Sequence, residues 1–314
     1  MTQVSSNSNN YGKRVDRKDL TALLEEFVAP AFTVEALAPW SYSKYKCLVK
    51  CPLQFYLKYL VKYKVEDRVT PETQVGKACH EILELVMKGV ELPKSFLLVR
   101  ERYRSTIPDE LWAEKVETLE MAIQGFKDRM QAFATANKVV RVFLETRLAF
   151  KRDYTPCDFW DKDAFFRGVI DFAVLLDNGD LIAIDHKAYY PAISGIRHLK
   201  DQLDTYKILF NYGFKKLTGA QGGIFFVGDN ELKLDEYASN EEIEGRLRGI
   251  LEFSLQGAID KTVELGYFKH VASSACQWCD YKAPCKNKEF KGIEIKTKEL
   301  FVVREEEVII NENV

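Results

Sequence analysis

A charged hairpin between Phe166 and Ala188, FRGVIDFAVLLDNGDLIAIDHKA, constrains the fold more than any other segment of the chain. Two apolar runs rich in β-branched residues flank the turn sequence Asp177–Asp180, a pattern that predicts two antiparallel strands. Each run carries an acid, Asp171 in the first and Asp185 in the second. Because a buried charge destabilises a protein unless it is paired or binds a metal, both acids need a partner.

The length of the hairpin loop decides which side chains share a face of the sheet. Lys187 follows Asp185 by two residues, so both side chains leave the strand on the same face. A two-residue loop sets Asp171 opposite His186, whereas a three-residue loop sets it opposite Asp185. The sequence Asp-Asn-Gly favours the longer loop, a type I turn with Gly179 in the left-handed region. The two acids then lie about 5 Å apart at Cβ, where they either share a divalent cation or form a salt-bridged hairpin with the lysine.

These residues carry a resemblance to a known family. An acid on one strand, followed by Asp185-His186-Lys187 at the end of the next, resembles the acid…(D/E)xK signature of the PD-(D/E)XK nuclease superfamily. Gly168–Asp171 resembles the G-x-x-D form found in its RecB-like members. The resemblance implies that Asp171, Asp185 and Lys187 are the catalytic residues of a restriction-endonuclease-like core.

The segment from Ser41 to Tyr59, SYSKYKCLVKCPLQFYLKY, supports the same resemblance. Pro52 suits the first position of a helix and leaves Cys51 at or just before its N-cap. Lysines alternate with aromatic residues here, which indicates either a solvated helix face or a track for a phosphate backbone. The S-x-S…C-P-x-x-F-Y pattern resembles the opening stretch of RecB-like and AddB-like nuclease domains and of the CRISPR adaptation nucleases.

A histidine lies in the next predicted helix, which starts at Gly76 and reads GKACHEILELVM. A single helical histidine is more often structural than a ligand. The G-x-x-x-H-x-x-x-E pattern, however, resembles the RecB-family segment whose histidine completes the metal site. The resemblance therefore implies that His80, Asp171, Asp185 and the main-chain carbonyl of His186 bind Mg²⁺ or Mn²⁺. Hard oxygen ligands favour these ions, and a histidine is compatible with Mn²⁺.

Two further segments surround the hairpin in the chain. Val139–Phe150 has strand character, and its Glu145 is either another acid of the site or a surface residue. Gln202 and Tyr206 are four residues apart and therefore share one face of a helix. Their place after the D-x-K strand resembles the Q-x-x-x-Y motif of RecB-like nucleases, which implies that they contact DNA near the active site.

Three cysteines near the C-terminus have the spacing of a metal site: Cys276, Cys279 and Cys285. A fourth ligand must come from elsewhere, and Cys51 is the candidate, whereas Cys47 is expected to pack as a small apolar residue. One cysteine far from a trio resembles the four-iron four-sulfur (4Fe-4S) site of AddB-like and CRISPR adaptation nucleases. A structural zinc site is the alternative. The odd, unevenly placed set of 7 cysteines argues against a secreted disulfide framework.

The order of elements predicts an α/β fold with a mixed central sheet flanked by helices. We expect a flexible tail and a short helix over residues 1–40, and a nuclease domain over 41–290. A helical insertion over 91–137 and the C-terminal cysteine cluster elaborate that domain. The charged and apolar residues of 291–314 form a C-terminal extension.

Composition limits the classes of function. A net charge of −2 provides no global attraction to nucleic acid, so contacts with DNA depend on local basic patches. An apolar run of about 18 residues is missing from the sequence, which predicts no membrane span and a cytoplasmic location. The G-x-x-x-x-G-K-[ST] loop of ATP-driven motors is also missing.

The combined resemblance implies a phosphodiesterase that depends on Mg²⁺ or Mn²⁺. Its expected function is that of a DNA exonuclease that acts on single strands or duplex ends in recombination, repair or phage DNA processing. The alternatives are a structure-specific or CRISPR-type processing endonuclease and a non-catalytic DNA-binding assembly factor. A separate helicase or recombinase is the protein partner that such a chain would have.

Overall fold

A mixed sheet of 7 strands forms the centre of the chain in the computed structural model. The structure describes residues 32–63, 65, 70–188, 196–265, 268–282 and 285, with the main chain alone over 196–198. The tail expected before residue 32 and the extension expected over 291–314 lie outside these residues. The described helices include none that is long and apolar enough to cross a membrane.

The strands follow the order β2-β1-β3-β4-β5-β6, and β7 also pairs with β5. Only β4 and β5 run parallel among the pairs in the described residues, so the sheet is mixed, as the sequence predicts. The strand bounds are β1 Val139–Phe150, β2 Pro156–Cys157, β3 Phe166–Leu176, β4 Asp180–Lys187, β5 Gly219–Phe226, β6 Glu231–Leu234 and β7 Ala238–Ser239.

The hairpin loop between β3 and β4 has three residues, as its sequence predicts. Leu175 pairs with Leu181, and Gly179 takes a left-handed φ of 86°. A side chain at Gly179 would also collide with Thr218, because a Cβ there would lie 2.6 Å from the threonine Oγ1. The same register sets Asp171 opposite Asp185 one step beyond the pair of Phe172 and Ile184. The three-residue loop is therefore confirmed.

Helices cover both faces of the sheet. They are α1 Tyr42–Lys50, α2 Pro52–Phe55, α3 Pro71–Met87, α4 Leu92–Tyr103, α5 Asp109–Lys115, α6 Glu120–Ala136, α7 Ile196–Gly213, α8 Asn240–Arg248 and α9 Gln256–Leu265. A π-helical turn over Tyr56–Leu60 continues α2, and another over Gly249–Leu255 joins α8 to α9. Helix α3 begins earlier than predicted, because Thr70 caps it and Pro71 is its first residue.

The two faces bury different cores. Helices α3, α5 and α6 pack with Phe172, Val174 and Ile184 on one face. Helices α1, α2, α7, α8 and α9 pack with Ala173, Leu181 and Ala183 on the other. Next to the turn, side chains alternate between the two faces, with odd residues from Ala173 to Ala183 toward α7 and even ones toward α3. Before Asp171 the alternation of β3 is reversed, because Phe166 and Gly168 also face α7. Asp185 continues the α7 face, and His186 continues the α3 face.

Candidate active site

Three acids lie in one row across neighbouring strands. The pairs Leu144–Phe172 and Thr146–Ile170 set Glu145 opposite Asp171, just as the hairpin register sets Asp171 opposite Asp185. Glu145 therefore belongs to the candidate site and is not an isolated surface acid, the alternative that its sequence left open.

The main chain is irregular at the outer end of this row. Glu145 has a φ of 43°, which non-glycine residues rarely adopt. Phe143 and Leu148 both pack against the α7 side, although their odd separation should send them to opposite faces. The left-handed residue thus breaks the alternation of β1. Strain of this kind persists only where surrounding contacts hold it, and it is frequent at functional sites.

His80 projects from α3 toward the row of acids. Its Nδ1 lies 3.4 Å from Asp171 Oδ2 and 3.9 Å from Glu145 Oε1. Burial lowers the pKa of His80, but the neighbouring carboxylates of Glu145, Asp171 and Asp185 outweigh it, so the pKa is raised overall. The packing of α3 against the sheet thus brings His80 close enough to the hairpin acids to share a metal with them.

His186 joins this group through its side chain, which the sequence did not predict. One ligand atom each from His80, Asp171 and His186 lie within 4.8 Å of one another. The His186 ring is 3% exposed, and its Nε2 makes no hydrogen bond within the described part of the chain. Its main-chain N–H donates to Asp171 Oδ2 over 2.9 Å. The D-x-K pattern alone pointed to the carbonyl of this residue and carries no signal for its ring.

On the α7 side, polar side chains surround Asp185. Lys187 Nζ lies 2.7 Å from Asp185 Oδ2. Gln202 Nε2 and the Tyr206 hydroxyl donate to Asp185 Oδ1 over 2.7 and 3.0 Å. The same hydroxyl lies 3.3 Å from Asp171 Oδ1, so it joins the two carboxylates. The pair predicted to share a helix face therefore contacts both hairpin acids.

A buried ionic network fixes α7 in this position. Lys207, which is 0% exposed, pairs with Asp235 over 2.6 Å, and Arg246 pairs with Asp204. Asp235 also accepts from the main-chain N–H of Gly222 over 2.6 Å. Because Lys207 is fully buried, the loss of Asp235 would leave its charge without its nearest partner at high cost. The network thus sets the rotation of the helix that carries Gln202 and Tyr206.

The electrostatics of the two central acids suit a cation. Burial raises the pKa of Asp185, and the charge of Asp171 raises it further, although Lys187 and Tyr206 oppose this shift. Burial likewise raises the pKa of Asp171, and His80 opposes that shift. Two buried carboxylates that share one hydroxyl repel each other, and a divalent cation would relieve the repulsion. With a histidine beside them, these oxygens fit Mg²⁺ or Mn²⁺.

The cysteine-bearing segments also meet in the structure. Cys51 is the N-cap residue of α2, and Leu53 N donates to Lys269 O over 3.2 Å. Tyr56 and Phe268 stack with ring centroids 4.6 Å apart. The segment that leads into the cysteine-bearing turn therefore lies near the N-terminal helices.

The electrostatic neighbours of the thiols identify which cysteines lie close together. Burial raises the pKa of Cys279, and the nearby Cys51 and Cys276 raise it further. Burial also raises the pKa of Cys47 to about 12, and Cys51 and Cys279 act in the same direction. Cys47 thus lies beside the predicted ligands, as its four-residue spacing from Cys51 allows.

The comparison with protein families agrees with this geometry. The sequence pattern of the PD-(D/E)XK nuclease superfamily matches residues 39–286, a span that contains all of the candidate site residues. No curated protein matches the chain by sequence. Similar solved structures comprise 21 chains, and one is titled "Crystal structure of SSO0001". It is 16% identical with a TM-score of 0.30, and the match covers 77% of this chain and 95% of that one. Because the family pattern spans most of its length, the chain belongs to the PD-(D/E)XK nuclease superfamily.

Proposed function

We propose that this chain is a DNA exonuclease of the RecB-like branch that depends on Mg²⁺ or Mn²⁺. The observation that carries the proposal is the pair of buried acids, Asp171 and Asp185, joined by the Tyr206 hydroxyl and flanked by Lys187 and His80. A non-catalytic DNA-binding factor would have no need to bury two acids beside a lysine, because that arrangement destabilises the fold.

In this mechanism, the ligands that would hold the cation are His80, Asp171, Asp185 and the main-chain carbonyl of His186. When bound, the cation polarises the phosphodiester and lowers the pKa of the attacking water. Lys187, held by Asp185, orients that water or stabilises the negative charge that develops on the phosphate oxygens. Gln202 and Tyr206 fix the orientation of the Asp185 carboxylate and position the DNA strand.

The assignment to DNA ends is supported by the resemblance to RecB-like motifs. A separate helicase or recombinase would then supply the ends or single strands. This division of labour agrees with a cytoplasmic protein whose net charge of −2 gives it little general affinity for duplex DNA.

We also propose that Cys51, Cys276, Cys279 and Cys285 hold a 4Fe-4S cluster, for which zinc is the alternative metal. The proposal is supported by the mutual electrostatic influence of Cys51, Cys276 and Cys279. It is supported as well by the hydrogen bond from Leu53 N to Lys269 O, which joins the two segments. Such a cluster would connect the N-terminal helices to the C-terminal turn beside the nuclease core.

The deciding experiment is digestion of end-labelled DNA with Mg²⁺, Mn²⁺ or EDTA. Linear single- and double-stranded molecules are compared with covalently closed circles of the same sequence, and Asp185→Asn is the inactive control. We expect metal-dependent loss of linear DNA and survival of circles. Cleavage of circles would contradict exonuclease action and favour the endonuclease. Equal digestion by Asp185→Asn would contradict the assigned site.

A further inference from the structure

An exposed aromatic pair lies on the loop between β2 and β3. Trp160 is 68% exposed, and its ring meets Phe159 edge to face, with centroids 4.9 Å apart. The Arg167 guanidinium lies 5.2 Å from the centroid of one ring and 5.3 Å from that of the other. A large apolar ring this exposed is unusual for a protein surface, where tryptophan is mostly buried.

The protein holds this ring in a fixed position. Arg167 Nη1 donates to Phe159 O over 3.2 Å, and Arg167 itself lies in β3 with its main-chain N–H bonded to Trp40 O. The N–H of Trp160 donates to Asp158 Oδ1 over 2.8 Å. The ring is therefore supported by the sheet on one side and by a tight turn on the other.

The aromatic pair lies on the surface that continues from the candidate active site. A side chain at Gly168 would collide with Leu209 of α7, because a Cβ there would lie 2.5 Å from it. Arg167 and Val169 therefore face away from α7, toward the side of α3 that carries His80. Val169, 38% exposed, leaves this strip of strand open. Arg167 precedes Asp171 by four residues, about 13 Å along a strand.

The local charges indicate which form of nucleic acid this surface suits. The three acids of this loop, Asp158, Asp161 and Asp163, offset most of the nearby basic charge of Arg147, Lys151, Lys162 and Arg167. Asp161 pairs with Lys151 over 3.0 Å. Net positive charge, which attracts a duplex backbone, is therefore modest here. A ring backed by a guanidinium instead offers stacking, and stacking requires a base whose face is not covered by its neighbours.

We propose that Trp160, supported by Phe159 and Arg167, is a stacking platform for an unpaired base of single-stranded DNA. Because Arg167, which contacts the ring, lies in the same strand as Asp171, that base would belong to the DNA strand that enters the active site. The inference rests on the proposed function, which supplies DNA as the substrate. It adds that the DNA entering the site is single-stranded.

Binding in EDTA tests the platform without cleavage. Affinity for a fluorescein-labelled single-stranded oligonucleotide is measured by anisotropy for the full chain and for Trp160→Ala. Trp278→Ala is the matched control, since Trp278 is 82% exposed in the cysteine-bearing turn. We expect Trp160→Ala to weaken binding about tenfold and Trp278→Ala to leave it unchanged.

A scan of single abasic sites identifies the stacked base. At one position near the active site, the abasic nucleotide should weaken binding by the full chain and have no further effect on Trp160→Ala. Tryptophan emission gives a second measurement, because Trp40 and Trp112 are 0% and 3% exposed. In Trp278→Phe, single-stranded DNA should therefore quench mainly Trp160.

The possible outcomes separate this inference from the proposed function. The platform is wrong if Trp160→Ala binds as tightly as Trp278→Ala. It is also wrong if an abasic site weakens binding equally in wild type and Trp160→Ala. Either result leaves the proposed function standing where wild type digests DNA. Stacking that depends on Trp160 without any digestion supports the platform and contradicts the nuclease. Equal affinity for blunt duplex and single strand would also overturn the platform.

Discussion

Gln202 Nε2 donates a hydrogen bond to Asp185 Oδ1 over 2.7 Å. The first residue of the Q-x-x-x-Y pair therefore contacts a hairpin carboxylate directly, although its resemblance to RecB-like motifs implied only a contact with DNA. A helix residue that orients an acid affects the reaction through that acid as well as through the substrate. The predictions below separate these two effects and test the acids, the histidine and the cysteines.

Asp185→Asn should abolish cleavage and at the same time raise the melting temperature of the metal-free protein at neutral pH. Burial and Asp171 raise the pKa of Asp185 above its ordinary 3.8. The ionised carboxylate therefore costs folding free energy, and this cost grows as the pH rises from the unfolded pKa through the folded pKa. The neutral amide removes the cost. Calorimetry in EDTA measures the change.

The control for this prediction is Asp229→Asn, which neutralises an exposed acid in a turn. It should change neither stability nor cleavage. Mn²⁺ should stabilise wild type and Asp229→Asn more than Asp185→Asn. A melting temperature below that of wild type for metal-free Asp185→Asn would contradict the prediction. It would mean that the ion pair and hydrogen bonds of the carboxylate stabilise the fold more than its burial destabilises it.

Tyr206→Phe should slow cleavage about 10- to 100-fold, because a hydrogen bond to a charged group contributes about 1.5–3 kcal/mol. The ring is 4% exposed and stays in the core, so the fold should persist. If the hydroxyl acts through the acids, kcat falls while the Kd for DNA is unchanged. Tyr212→Phe, on the same helix, is the control. A weaker Kd with unchanged kcat would assign Tyr206 to the substrate instead.

Glu145→Gln should lower the pKa of His80. Burial lowers that pKa, and the interaction with the nearby Glu145 carboxylate is the largest of the effects that raise it. A raised histidine pKa stabilises the fold below the unfolded value and loses this effect as the pH rises through the folded value. The variant should therefore lose part of this stabilisation at acidic pH. NMR titration of the metal-free protein tests it, with His80→Gln to identify the signal among 4 histidines. An unchanged titration would exclude Glu145 from the site.

Lys44→Met should change how stability depends on alkaline pH. Burial lowers the pKa of Lys44 to about 8, and the charges of Arg167 and Lys62 contribute. Between about 8 and the ordinary 10.5, the unfolded chain binds more protons than the folded one, so this lysine makes stability rise with pH. Over this pH interval, the free energy of unfolding of wild type should rise by about 1–3 kcal/mol relative to that of the variant. Denaturant unfolding measures the difference. For the exposed control Lys58→Met, the difference in stability from wild type should not depend on pH. The same result for Lys44→Met would contradict the lowered pKa of Lys44.

Cys51→Ala should bleach the protein, whereas Cys47→Ala should not. Anaerobically purified protein should be brown, with about four iron and four sulfide ions per chain for a cubane cluster. Cys51 is the N-cap residue directly before Pro52, which fixes the direction of the chain there. Absorbance and metal analysis test this expectation. Colourless protein with stoichiometric zinc would contradict the iron–sulfur cluster but not the assignment of the four cysteine ligands. Bleaching by Cys47→Ala would contradict that ligand assignment.

The relations that the sequence predicts correctly are local. Three loop residues with a glycine at the left-handed position determine the register of the hairpin, because a tight turn leaves the strands one way to pair. The four-residue spacing of Gln202 and Tyr206 determines their shared helix face in the same manner. The N-cap position of Cys51 follows from Pro52 beside it.

Relations between distant segments were decided only by the tertiary structure. Glu145 joins the acids because its main chain adopts a left-handed φ that surrounding contacts hold. The His186 ring approaches His80 because α3 packs on the face of the sheet that the ring occupies. Cys47 lies beside Cys279 because the N-terminal helices meet a turn far along the chain. Sequence periodicity determines the face a residue occupies, whereas the packing of the whole core determines which distant residue it meets there.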